Sequence, residues 1–395
     1  MNEVQRLPDP AVDKPGRLDS VDILRGLVMV LMALDHVRDY FSNAQFDPLD
    51  LSETSAPLFL TRWITHFCAP VFVFLAGTGA FLSGARGKTT AQLSRFLLTR
   101  GLWLVVLEMT VIRVAWQFNI NFRIFHGQVI WAIGWSMVAL AGLIYLPRKV
   151  IAVFGIGMIV LHNLLDPVSP EAWGSLDWLW KIIHVPEAII LGERSLFNPL
   201  YTLIPWVGVM ATGYVFGQVL LLEKKKRQRT LTWLGLGLTA AFVVLRLTNL
   251  YGDPVVWSEQ ESPLFTFLSF INTQKYPASL LFLLMTLGPS IALLPLLERN
   301  LGKAGKVLAV YGRVPLFYYV LHLYFIHALA VAAGLLQGFP LKRLLVGHWV
   351  FPKKYGFDLP VVYGVWGMVV AILYPACSWF AGLKQRSRSR WLSYL

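Results

Sequence analysis

Charge is what this chain has least of: 14% of its 395 residues are Asp, Glu, Lys or Arg, against 56% hydrophobic. A water-soluble domain of that length needs far more charge on its surface, so a soluble globular protein is excluded. Cysteine is nearly absent, with Cys68 and Cys377 each inside an apolar stretch and expected at opposite membrane depths, so no disulfide is expected. The first 20 residues hold no apolar core and no small-residue cleavage site, so no cleavable signal is expected and the first span acts as the insertion signal. Phosphate loops, dinucleotide glycine fingerprints and nucleophile elbows are missing. No His/Glu pair at metal-ligand spacing has a third ligand nearby, so no metal is expected. Acidic residues are outnumbered 22 to 35, giving a net charge of +13. The basic residues fall in short runs between apolar stretches, as at 224–229 and 384–390, which is how topology is controlled and not how nucleic acid is bound.

What is present is hydrocarbon. Fifteen Trp and 25 Phe suit long lipid-facing and interfacial surfaces. Apolar stretches long enough to cross about 30 Å of hydrocarbon fall at 21–41, 58–84, 92–116, 126–146, 149–165, 199–222, 230–250, 277–297, 304–336 and 359–383. The reading is an all-α polytopic membrane protein of about ten transmembrane helices, or eleven if the long 304–336 stretch is broken. Alternate connecting segments carry 20 and 8 Lys and Arg, and this excess places both termini in the cytoplasm. Loop 166–198, with Trp173, Trp178 and Trp180, predicts a short interfacial helix on the outer face. One domain is expected over 21–383, between a polar tail at 1–20 and a basic tail at 384–395, with 223–229 as a cytoplasmic hinge. Lipid-facing and subunit-facing apolar surfaces look alike, so oligomeric state leaves no mark here.

A charge inside a membrane is costly and marks a functional hypothesis. The first span holds Asp22, Arg25, Asp35, His36, Arg38 and Asp39. Ten residues lie between Arg25 and His36, so eleven helical steps return to within about 20° of the same face after a rise of about 16 Å. The two therefore share one stripe, Arg25 toward the cytoplasm and His36 toward the outside. Asp22 lies one turn from Arg25, and Asp39, one turn from His36, is placed to orient its imidazole. The ordinary alternative is a topological anchor at Asp22 and Arg25 and a solvated helix end at 35–39.

The segment Asp22-Ile-Leu-Arg25-Gly26 followed by Asp35-His36 resembles the start of the membrane acyltransferase superfamily, which carries an Arg, ten residues and a His on its first helix. The run from His66 through Pro70 to Gly77 is similar to the second-helix signature of that superfamily. The segments Tyr201–Trp206, Lys275-Tyr276-Pro277-Ala278-Ser279 and Tyr311-Gly312-Arg313 through Tyr318-Tyr319 to His322 resemble a bacterial group within the heparan-α-glucosaminide N-acetyltransferase catalytic-domain family. The resemblance covers roughly residues 17–330.

That resemblance implies a transmembrane acyltransferase-like fold in a bacterial cytoplasmic membrane. It implies O- or N-acyl transfer, with acyl-CoA (acetyl-CoA) as donor and an extracytoplasmic hydroxyl or amine, a sugar or glycan, as acceptor. The roles then distribute as follows. His36 is the expected general base, because an imidazole titrates near neutrality; an acyl-histidine intermediate stays open. Arg25 clamps phosphate or the pantetheine arm, with Arg95, Arg100 and Arg313 at similar depth. His66 is the second catalytic candidate, or a structural histidine. Lys275 and Tyr276 are placed for the acceptor or a developing oxyanion. His322 and His126 line the tunnel or pack helices. Glu108 is structural or proton-coupled. Two other classes stay open: a secondary transporter or exporter, for which no paired Gly/Pro-broken spans are found, and a non-catalytic assembly subunit.

Overall fold

The computed structural model describes residues 19–192, 195–387 and 392. The tail expected at 1–20 lies outside the described residues except Asp19 and Ser20, and the tail at 384–395 except 384–387 and Leu392. In chain order the helices are α1 (Asp19–Phe41), α2 (Ala56–Ile64), α3 (Cys68–Ala85), α4 (Thr90–Leu107), α5 (Arg113–Gln117), α6 (Val129–Leu143), α7 (Arg148–Leu161) and α8 (Asp177–Ile183). Then come α9 (Leu203–Phe216), α10 (Lys224–Thr248), α11 (Pro263–Ile271), α12 (Leu280–Leu297), α13 (Gly302–Arg313), α14 (Pro315–Leu336) and α15 (Leu359–Arg386). The end of the bundle nearer His36 is called outer, and the end nearer Arg25 inner.

Local chemistry sets several boundaries. Ser55 and Ser279 cap α2 and α12 through their side-chain oxygens, and Thr89 with Gln92 forms a capping box at α4. The 304–336 stretch is broken where Pro315, which has no N–H to give, opens α14 after Val314 leaves helical geometry. A π turn, Glu108–Ile112, joins α4 to α5. The outer loop at 166–198 contains the short helix α8, with Trp173 stacked on Trp180 at 4.8 Å.

Seven helices among the described residues are long and apolar enough to cross a membrane: Ala56–Ala85, Arg148–Leu165, Leu203–Leu221, Lys224–Thr248, Leu280–Leu297, Pro315–Leu336 and Leu359–Arg386. The other three expected stretches are helical but differ in kind. Helix α1 carries five Asp and Arg residues beyond its first turn's start, α4 to α5 carries Arg95, Arg100, Glu108 and Arg113, and α6 has only 15 residues. These three are also helices that line the cavities described below.

The all-α expectation needs one correction. Strands β1 (Ile124–His126), β2 (Ile189–Gly192) and β3 (Ser195–Asn198) form a small sheet in the order β1-β3-β2. Strand β3 runs parallel to β1 and antiparallel to β2. Pairing there satisfies backbone groups that a bare loop beside the cavity would leave unpaired.

Helix α1 is central, packed against α3, α12, α13, α14 and α15, so its charges face protein and not lipid. Its contact with α13 is backbone to backbone. A Cβ on Gly26 would collide with the Leu308 carbonyl, and one on Gly312 with the Asp22 carbonyl. That close approach sets Arg25 and Arg313, the neighbours of those glycines, at one level.

Candidate active site

Two cavities of about 330 Å³ each meet along α1. The inner one is walled mostly by apolar side chains of α1, α3, α4, α6 and α14, and its cations are Arg25, Arg100, Arg313 and Lys384. The outer one holds Asp35, His36, Asp39, Arg62, Lys275, His126 and His348 together with Trp116, Tyr201, Tyr276 and Trp349. Four residues line both: Met32, Phe72, Val129 and Tyr319. These four, the neck, are the wall the two cavities share, with Met32 one helical turn before His36 in α1.

His36 lies at the outer side of that neck with a defined tautomer. His322 Nδ1 is 2.8 Å from the Tyr318 carbonyl, which only accepts, so that nitrogen carries the proton and Nε2 keeps a lone pair. His322 Nε2 is 2.7 Å from His36 Nδ1, which therefore donates to it. The remaining nitrogen of His36, Nε2, then holds the lone pair of a base. When it takes a proton, the imidazolium is met by the His322 acceptor.

Around the histidine, carboxylates and guanidinium groups are interleaved. Arg62 reaches both Asp35 oxygens at 2.8 Å, and Arg38 donates to Asp35 at 2.9 Å and to Asp39 at 2.6 Å. Lys275 makes no ion pair or hydrogen bond among the described residues; its ammonium sits 5.2 Å from the Tyr276 ring centroid and 5.9 Å from that of Tyr201. His126 and Asn198 enter from β1 and β3. Burial, then the charges of His348 and Arg113, lower the His126 imidazole to about 4. Burial likewise holds His348 below the ordinary histidine range, against the pull of Asp39.

The structure corrects several expectations. Asp39 lines the outer cavity but binds Arg38, and the partner that orients His36 is His322. His322 is fully buried and lines neither cavity; its contact on the cavity side is His36. His66 is also fully buried, lines neither cavity, and turns its ring edge to Phe282. Arg95 is exposed and outside the inner cavity, whereas Arg25, Arg100 and Arg313 line it. Arg25 also donates to the Gly312 carbonyl at 3.1 Å. Glu108 accepts from the Trp131 backbone N–H at 3.0 Å and so caps the start of α6. Arg113 gathers Gln117, Asn119, Asn121 and the Ile124 carbonyl and shapes the loop before β1. His327 hydrogen-bonds the Ala115 and Leu344 carbonyls.

Trp116, Asn198, His348 and Trp349 escaped the sequence reading, and Tyr319 entered it only inside a motif, without a role. Their sequence signals were an aromatic at a span end, a lone Asn before a helix, a double tyrosine one turn before a histidine, and a His-Trp pair in an outer loop. Among the described residues no group of three His, Cys, Asp or Glu is placed to hold a metal, and both cysteines are free.

No curated protein matches the chain. The family model described as "Heparan-alpha-glucosaminide N-acetyltransferase, catalytic" matches residues 17–247, which include Arg25, His36, Arg62 and His126, while the 275–279 and 311–322 segments lie beyond the match. With more than half of its length matched, the chain belongs to the heparan-alpha-glucosaminide N-acetyltransferase catalytic family.

Proposed function

We propose that the protein moves an acetyl group from cytosolic acetyl-CoA, held at the inner cavity, to a hydroxyl or amine of a sugar or glycan in the outer cavity. It does so as a single ten-span domain in a bacterial cytoplasmic membrane, with both termini in the cytoplasm. The observation that carries this reading is that the two cavities share four wall residues next to His36.

The inner cavity fits the donor. Arg25, Arg100, Arg313 and Lys384 suit a polyanionic coenzyme, and the apolar remainder suits its thin arm and keeps water from a thioester. The outer cavity fits a polyhydroxylated acceptor, with Tyr276 and Trp349 as flat faces and Asp39, Asn198 and Lys275 as polar partners. In the transfer, the acceptor oxygen or nitrogen bonds to the thioester carbonyl carbon as its proton passes to His36 Nε2. The carbon–sulfur bond then breaks, and His36 returns the proton to the departing thiolate.

Purified protein given labelled acetyl-CoA and a panel of amino sugars and glycans tests the reading. Thiol release and labelled acceptor are expected from wild type, with neither from His36→Ala. Proton-coupled solute flux without thiol release contradicts it.

A further inference from the structure

Two buried hydrogen-bond donors stand beside His36. The Trp116 indole Nε1 and the Tyr319 hydroxyl make no hydrogen bond of ordinary geometry among the described residues; the indole N–H faces the Tyr319 oxygen, and the Tyr319 O–H has no acceptor there. Both rings stand edge-on to the His36 imidazole, with centroids 4.9 Å and 6.0 Å away. They come from different elements, α5 and α14, so one local irregularity does not account for both. Both residues line the outer cavity, and Tyr319 also lines the inner one. Buried donors are nearly always satisfied, and leaving one orphaned costs about 1–3 kcal/mol. Packing gives no reason to retain them, since Phe at Tyr319 fills the same space without an unpaired hydroxyl.

We propose that Trp116 Nε1–H and Tyr319 O–H form the oxyanion site of the acyl transfer, an inference that rests on the acetyltransferase reading above. As the acceptor atom bonds to the carbonyl carbon, its proton moves to His36 Nε2 and the carbonyl π pair moves onto the oxygen. Tyr319 O–H meets that oxygen beside the imidazole, with Trp116 Nε1–H next to it. The pair returns to carbon as the carbon–sulfur bond breaks, and the thiolate takes the proton from His36. Both donors are neutral, so the neck carries no unpaired buried charge between turnovers. Their hydrogen bonds form only where charge develops, which is the condition for lowering the barrier and not merely tightening binding.

Tyr319→Phe is the discriminating variant, because it removes the hydroxyl and keeps the ring. Thiol release at saturating acetyl-CoA is expected to fall by about 10²–10³-fold, with acetyl-CoA affinity unchanged and the thermal midpoint unchanged or raised. Trp116→Phe, which keeps an aromatic ring, is expected to lower kcat in the same direction. Two results overturn the inference: a wild-type kcat in Tyr319→Phe, or a loss of rate matched by lost thermal stability. Wild-type protein that releases no thiol contradicts the acetyltransferase reading itself, and the oxyanion site falls with it; an active wild type with an equally active Tyr319→Phe contradicts the oxyanion site alone.

Discussion

The inner cavity takes its walls from the interiors of α1, α3, α4, α6 and α14 and is apolar except for the cations near its mouth. The outer cavity, of the same volume, is charged and aromatic, and it draws His126, Asn198, Lys275, Tyr276, His348 and Trp349 from a sheet and connecting segments far apart in the chain. On the proposed reading the packed helices hold the donor, and the sheet and connecting segments contribute much of the acceptor's surroundings. The helix α1 belongs to both, with Arg25 in one cavity and His36 in the other.

If this division holds, substitutions should separate donor effects from transfer effects. The largest separation is expected for His36→Ala, which lowers acetyl transfer by about 10²–10⁴-fold while acetyl-CoA binding, read by calorimetry, stays at the wild-type value. Lost donor binding in that variant breaks the comparison. His322→Ala removes the acceptor that fixes the His36 tautomer, and a fall in kcat of about 10–100-fold is expected from losing a hydrogen bond to a charged group. Arg100→Gln acts at the other end: KM for acetyl-CoA rises about 10-fold with a shallower salt dependence, and kcat changes little.

The smallest effect concerns pH. His126 lies outside the membrane helices and titrates near 4 in the folded protein, chiefly because it is buried, against about 6.5 in an unfolded chain. Between those values the unfolded state binds the extra proton, so this contribution to stability is present above about 6.5 and is lost as pH falls toward 4. The thermal midpoint should drop by a few degrees across that window, and His126→Phe should flatten the slope. A slope that persists unchanged assigns the effect to other groups, His348 first.

How much of this was legible follows from distance along the chain. Arg25 and His36 were readable as a pair because helical periodicity alone puts them on one stripe. Asp39 was misassigned for a local reason: from one turn away it meets both a neutral imidazole and the adjacent Arg38, and the charged pair forms at 2.6 Å. The true partner, His322, comes from a helix near the other end of the chain, and only tertiary packing selects it. His66 sits in a family-like motif, but α2 ends at Ile64 and Thr65–Phe67 forms a 3-10 turn. That tighter winding presents Arg62 and Thr65 to the cavity and turns His66 toward α12. The ten stretches are helical where expected, but among the described residues seven helices are long and apolar enough to cross a membrane. The other three stretches are charged or short, and each lends residues to the cavities.

The neck is the part on which everything else depends, and transfer across a sealed bilayer tests it most directly. Protein in oriented vesicles would receive labelled acetyl-CoA on the side of Arg25 and acceptor on the side of His36, for wild type and for Val129→Trp, which fills the neck. The predicted result is labelled acceptor opposite the donor with wild type and none with Val129→Trp, while that variant still binds acetyl-CoA. Product only on the donor side, or transfer undiminished by the tryptophan, contradicts the account.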